Sequence, residues 1–197
     1  MAGIYVRSQE GALRQGEIIT GLVQTRLALD TLGSQELAID QITHPFSIVL
    51  SQDCDLLHDW GGRSVLLQDA GNEQRIKEVQ QRLLPAVLFA EMTTAETLRG
   101  GVSGSDIWKR IRQNKDERYQ FLEGVRGEEE ALGKGLPELG IDFKRYFTIP
   151  TAEAYRRIQD GVAMRRCRLV SPYLEHLSSR FGFYQSRIAL PEDHRSQ

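Results

Sequence analysis

The spacing of apolar residues changes character along the chain. Short apolar runs bounded by turn residues dominate the first hundred positions, and spacings of three and four appear later. Ile4 and Val6 predict a short strand. Gly16-Glu17 reads as a turn feeding Ile18-Ile19 and a loosely alternating run to residue 29. Residues 30–44 are a polar connection. The run 46–50 is the clearest strand: apolar and partly β-branched, with Pro45 at its entry and an abrupt polar stop at Ser51. Gly61-Gly62 predicts a turn, and Val65 to Leu67 a returning hairpin strand. Ile76, Val79 and Leu83 stand at helical spacing, so 74–84 is a helix ended by Pro85. "AVLFAEMTT" (86–94) is a strand.

"GGVSGS" is a Gly/Ser loop, with Ser105 as N-cap of a helix whose apolar face takes Ile107, Trp108, Ile111 and Leu122. A Gly-rich charged loop follows. "IDFKRYFTIP" alternates as a strand, and "AEAYRRIQDG" is a short helix stopped at Gly161. "VAMRRCRLV" is a strand, and Ser171-Pro172 opens a final helix to residue 187. Its stripe is Leu174, Leu177, Phe181, Tyr184 and Ile188. Five to seven strands with helices later predict an α+β protein: a small SH3-like β-barrel or curled antiparallel sheet, with helical insertions and a C-terminal helix. A single domain over 1–197 is expected. Residues 1–100 form mainly the β core, and 101–197 a helical insertion, a strand pair and the last helix.

Composition changes this picture little. The chain has 197 residues, 40% hydrophobic and 26% charged, with a net charge of −2. That length supports a core without staples, and the balance advertises no polyanion partner globally. Basic residues lean to the far end, where 151–197 carry 8 Lys/Arg against 5 Asp/Glu. Two distant cysteines suit reduced thiols in a cytoplasmic protein better than a disulfide scaffold. No stretch reads as a signal peptide or a membrane span, so no membrane partner and no cofactor are expected.

The chemistry-bearing knot is "SQDCDLLHD", which places Asp53, Cys54, Asp55 and His58 after the 46–50 strand. A thiol nucleophile needs a lowered pKa, and His58 could supply it. The flanking carboxylates act the other way. The favoured reading is therefore a small apolar Cys54 tucked under the sheet, between two aspartates that share a face of an extended segment. A structural zinc site lacks a second ligand pair, though His44 and Cys167 are distant candidates, and no metal is assigned. A carboxylate site for Mg²⁺ would draw on Asp53, Asp55 and Glu91. The plain alternative is that one aspartate caps backbone amides at the start of a helical turn.

Two basic groups stand out: Lys109, Arg110 and Arg112, with Lys115 and Arg118 beyond them on one predicted helix, and Arg165, Arg166 and Arg168 on a strand. Arginine beside aromatic residues suits nucleic-acid binding, with a solvated charged face as the bland reading. The C-terminal stripe is core, or else a partner or homodimer surface.

Gly16-Glu17, His44-Pro45 leading Ile48-Val49-Leu50-Ser51, and Val87-Leu88-Phe89 before Thr93-Thr94 resemble the PemK/MazF toxin family over residues 15–95. That resemblance implies a small SH3-like barrel and a bacterial, RNA-directed role. His44 stands where the family has Arg, and "QDCD" replaces its Asn-rich turn, so ribonuclease activity does not carry over directly. The whole chain also resembles uncharacterised bacterial proteins with an SQxCDL motif, which implies no activity. The expectation is a binding module for nucleic acid or a partner protein, in a bacterial defence or toxin–antitoxin-like system. The competing expectation is a hydrolase or nuclease centred on Asp53, Cys54, Asp55 and His58.

Overall fold

A computed structural model describes residues 3–28, 38–68 and 73–187. The chain order is β1 (Tyr5–Arg7), β2 (Glu17–Leu27), β3 (Ile39–Val49), α1 (Asp53–Gln68), α2 (Glu73–Gln80), β4 (Ala86–Thr94), α3 (Ala95–Gly101), α4 (Ser105–Arg112), β5 (Tyr119–Leu122), β6 (Leu139–Pro150), α5 (Thr151–Gln159), β7 (Met164–Leu169) and α6 (Tyr173–Gln185). The protein is α+β. Its seven strands form one antiparallel sheet in the order β1-β7-β2-β3-β4-β6-β5.

The sheet does not close into a barrel, which corrects the SH3-like alternative. β1 and β5 are its two edges and do not pair. They nevertheless approach, because Tyr5 Oη donates to the Glu123 carbonyl at 2.6 Å. Both faces are covered. One core cluster gathers Ile18, Ile48, Phe143, Cys167 and Leu177, with α6 packed on it. A second gathers Leu13, Ile19, Val49, Leu56 and Phe89. Each such side chain contributes about 1.5–3 kcal/mol by leaving water. The α6 stripe packs as expected: Leu177 is buried, with Leu174, Phe181 and Tyr184 against the same core. Ile188 lies outside the described residues.

Two local expectations fail for legible reasons. The knot 53–59 and the Gly61-Gly62 pair form one helix, α1, rather than a turn and a hairpin strand. Gly62 suits this helix because α2 and the residues after it pack closely on α1 there, whereas a side chain at Gly61 would meet nothing. A Cβ on Gly62 would sit 3.0 Å from Leu83 Cδ2 and 3.2 Å from Val79 Cγ1. The buried Asp59 fixes this packing, accepting from Leu84 N at 2.9 Å and Arg63 Nε at 2.7 Å. The second failure concerns α4, which stops at Arg112, so Lys115, Arg118 and Leu122 lie beyond it. Asn114 takes a left-handed φ of 52°. Its carboxamide accepts from Phe121 N at 2.7 Å and donates to Phe121 O at 3.1 Å, turning the chain into β5.

His44 is buried, stacks on Phe147 with ring centroids 3.7 Å apart, and has no partner at either ring nitrogen. Burial lowers its pKa from 6.5, with Glu91 opposing more weakly. The unfolded chain therefore binds a proton near pH 6 that the folded chain refuses, and stability falls as pH drops through about 6.5. His44→Phe is expected to leave stability at pH 7 within about 1 kcal/mol or raise it, since it removes an unpaired buried polar group. It should also flatten the loss between pH 7 and 5. Urea midpoints at the two pH values check both; an unchanged slope would mean that His44 is not the titrating group.

Candidate functional site

The sequence "RRCR" in β7 sends its three arginines to three different places. β7 pairs Ile18 with Cys167 but Ile19 with Arg165, so one extra residue is accommodated between them. Such a bulge lets neighbouring side chains diverge. Arg165 Nε reaches Glu17 Oε1 at 2.7 Å, and its other nitrogens donate to the Gly11 and Ala12 carbonyls. Arg166 Nε reaches Glu130 Oε2 at 2.8 Å. Both are tied to buried carboxylates, so the sequence's grouping of Arg165 and Arg166 as ligand contacts is corrected: they are structural cations. Arg168 stands opposite Val6 on one side and Glu17 on the other. Its guanidinium contributes to the field at Asp53 but makes no side-chain hydrogen bond or ion pair among the described residues.

Arg168 lines a cleft of about 260 Å³ together with Val6, Arg14, Glu17, Leu57 and Trp60. Asp53, in the first turn of α1, holds the cleft residue Arg14 in place. Asp53 accepts from Arg14 Nε at 3.1 Å and Nη2 at 2.6 Å, a two-pronged pair, and from Gln15 N at 2.7 Å. Burial alone would raise the Asp53 pKa, but the Arg14 guanidinium and the Gln15 N–H outweigh it and hold the carboxylate ionised. The Arg14 N–H in turn donates to Glu17 at 3.1 Å. Arg14, Arg165 and Arg168 thus face two committed carboxylates, Asp53 and Glu17, and Arg168 is the surplus charge. Two more ionisable residues line the cleft, Arg7 and Glu10; Arg7 donates to the Glu128 carbonyl at 2.9 Å. A larger hollow of about 670 Å³ adjoins and shares Ser8, Glu10, Trp60 and Arg165, with Tyr155 and Ile158 on its far side. Trp60 and Tyr155 stand with ring centroids 5.0 Å apart.

The proposed catalytic group does not converge. Asp53 and Asp55 lie two positions apart on a helix, so they do not share a face. Asp53 is engaged by Arg14, whereas Cys54, Asp55 and His58 are exposed. Cys54 is not the buried thiol expected. It sits in the first helical turn with Sγ 3.7 Å from Asp55 Oδ1, and Cys167 is the buried cysteine, its pKa pushed up to about 12 by burial. Glu91 faces Arg145 at 3.7 Å and does not join the aspartates. From α1 the cleft takes Leu57 and Trp60. Among the described residues no group of three or more His, Cys, Asp or Glu is placed to hold a metal ion.

The second basic group lies near the opposite sheet edge. Lys109, Arg110 and Arg112 are exposed on α4, with Arg112 held loosely by Glu138 at 3.7 Å. Arg118 is instead committed to Asp142 by two bonds, at 2.8 and 2.6 Å. Sequence reasoning missed Arg14, Glu17 and Trp60. The first two act through partners 39 and 148 positions away, which no local pattern reveals. No family model, curated protein or solved structure matches the chain. No helix among the described residues is long and apolar enough to cross a membrane.

Proposed function

We propose that the protein is a binding module for single-stranded nucleic acid, acting in the cytoplasm in a bacterial defence or toxin–antitoxin-like setting, as the resemblance over 15–95 implies. The observation that carries this reading is Arg168: an unpaired guanidinium in a cleft whose other arginines are already fixed, beside the exposed ring of Trp60. A half-buried arginine whose guanidinium has no carboxylate partner suits a phosphate, and an indole lining the same cleft suits a base. The hydrolase alternative gains no support, because its four residues do not meet.

The test is binding of labelled oligonucleotides by fluorescence anisotropy across a salt series. Wild type should bind with a negative salt slope. Arg168→Ala should weaken all sequences alike and reduce that slope by about 0.7, the share of one phosphate contact on a single strand. Arg126→Ala, which removes an exposed loop cation paired to Glu129, should change little. No binding at low salt would defeat the nucleic-acid reading and leave a protein partner in its place.

A further inference from the structure

β2 runs on past the strand that covers its outer edge. β7 pairs with it only from Glu17 to Thr20. A Cβ on Gly21 would meet the Val162 carbonyl at 2.8 Å, so the turn before β7 closes the edge at that point. From Leu22 to Leu27, β2 pairs with Ile39–His44 of β3 and with no other strand among the described residues. β3 in turn pairs with β4 only over Phe46–Val49. The two strands therefore continue as a ribbon with both long edges unpaired. Its inner face lies towards β6: Leu22 and the opposite His44 are buried, His44 stacks on Phe147, and Gln24 Nε2 reaches the Thr148 carbonyl at 3.5 Å. By alternation Val23, Thr25 and Leu27 turn outward, and the last two are exposed. The backbone direction follows from the ribbon's far end. Ala28 N donates to the Ala38 carbonyl at 3.0 Å, in the register that pairs Leu27 with Ile39. Such pairs recur at every second residue, so Gln24 and Arg26 bond to β3, while Val23, Thr25 and Leu27 aim their N–H and C=O groups out of the ribbon.

We propose that this β2 edge pairs antiparallel with the same edge of a second copy of the chain, across a two-fold axis at Thr25. The edge is unguarded. Sheet edges are commonly blunted by Lys, Pro or a bulge. Pro45 stands at the root of the β3 edge, whereas residues 22–27 carry no Lys or Pro. Their one charge, Arg26, lies 3.6 Å from Asp40 across the ribbon, so the ribbon offers no net charge to a polyanion. The sequence fits itself in this register. Thr25 faces its own copy, Val23 faces Leu27 and Gln24 faces Arg26, so apolar meets apolar and no like charges stand opposite each other. Centring the axis on Arg26 instead would oppose two guanidiniums. Val23, Thr25 and Leu27 of each chain both donate and accept across the axis, as in strand addition to an open sheet edge. Exposed apolar side chains extend the contact: Leu27 on the edge, and Val162 and Met164 at its root, where Met164 lies opposite Thr20.

The experiment is sedimentation equilibrium of the full chain over a concentration series. Wild type should reach the mass of two chains. Thr25→Pro removes the central outward N–H and spares the bonds to β3, so it should sediment as one chain with an unchanged circular dichroism spectrum. Gln41→Pro makes the same change on the opposite edge, since Gln41 stands across from Thr25, and should stay dimeric. Leu27→Lys, at an exposed position, sets a charge on the β2 edge and should also give the mass of one chain. Should Thr25→Pro not fold, the mass of Leu27→Lys decides. A wild type that stays monomeric at every concentration overturns the proposal and leaves the edge to another segment or another protein. A dimer that persists in folded Thr25→Pro, or one lost equally in Gln41→Pro, overturns the assignment to the β2 edge.

Discussion

Glu130→Ala is expected to lower the unfolding free energy by about 3–5 kcal/mol, as breaking a buried ion pair does. Glu130 is fully buried and accepts four bonds: from Arg166 Nε at 2.8 Å, Leu132 N at 2.9 Å, Lys134 N at 2.6 Å and Gly135 N at 2.9 Å. Truncation strands a buried guanidinium and three backbone donors together. The loop is built for this carboxylate. Gly135 has φ +74°, and a Cβ there would meet the Val125 carbonyl at 2.6 Å. Burial by itself would raise the Glu130 pKa, but Arg166 and the backbone N–H groups outweigh it and bring it to about 2, from 4.5. The folded state thus releases this proton more readily than the unfolded chain. The stabilisation is present above pH 4.5 and is lost as pH falls towards 2. Urea denaturation at pH 7 and at pH 3 should show a large gap between wild type and variant that narrows in acid. A loss below about 1 kcal/mol at pH 7 would contradict this account.

The second large effect concerns Glu17. It is 1% exposed, and its partner Arg165 has a side chain 12% exposed, so neither charge is well hydrated. Glu17→Ala should also cost about 3–5 kcal/mol, because the Arg165 charge is left unpaired in the interior. Glu17 further orders the chain through Arg14 N, and Arg165 ties down the Gly11 and Ala12 carbonyls. The variant should therefore loosen the segment that carries Arg14. The paired replacement Glu17→Leu with Arg165→Met should recover most of the lost stability, since an apolar pair of similar volume needs no desolvation of charge. A double variant no more stable than Glu17→Ala would show that the loss arises from the backbone contacts instead.

The strands were largely legible because they are short, apolar and bounded by turn residues. β3 ends at Val49 just before the polar knot, and β4 occupies 86–94 as its Val-Leu-Phe run suggests. β7 and α6 also fall where periodicity places them. α1 was not legible, because Gly61-Gly62 signals a turn unless one knows that Val79 and Leu83 press against that spot. α3 was missed in a stretch read as strand followed by Gly/Ser loop. Its signal was Thr94, whose hydroxyl accepts from Thr97 N as a helix cap. The candidate site was half legible. Asp53 and Arg168 stood out, but local sequence could not say that Asp53 is spent on Arg14 or that Arg165 and Arg166 are spent on Glu17 and Glu130. Those partners meet only when distant strands align.

The pairing of β1 with β7 also dictates an order of events. Tyr5 sits opposite Leu169, and among the described residues β7 is the one strand that pairs with β1. During synthesis β2, β3 and β4 can zip together as each emerges, while β1 must wait until β7 has been made. The Arg168 cleft takes Val6 and Arg7 from β1 and Arg165 and Arg168 from β7, so it is complete only once β7 has been made. A chain that lacks β7 can still pair β2 with β3, β4, β6 and β5, but it holds neither Arg165 nor Arg168, so the cleft has no cationic wall on that side.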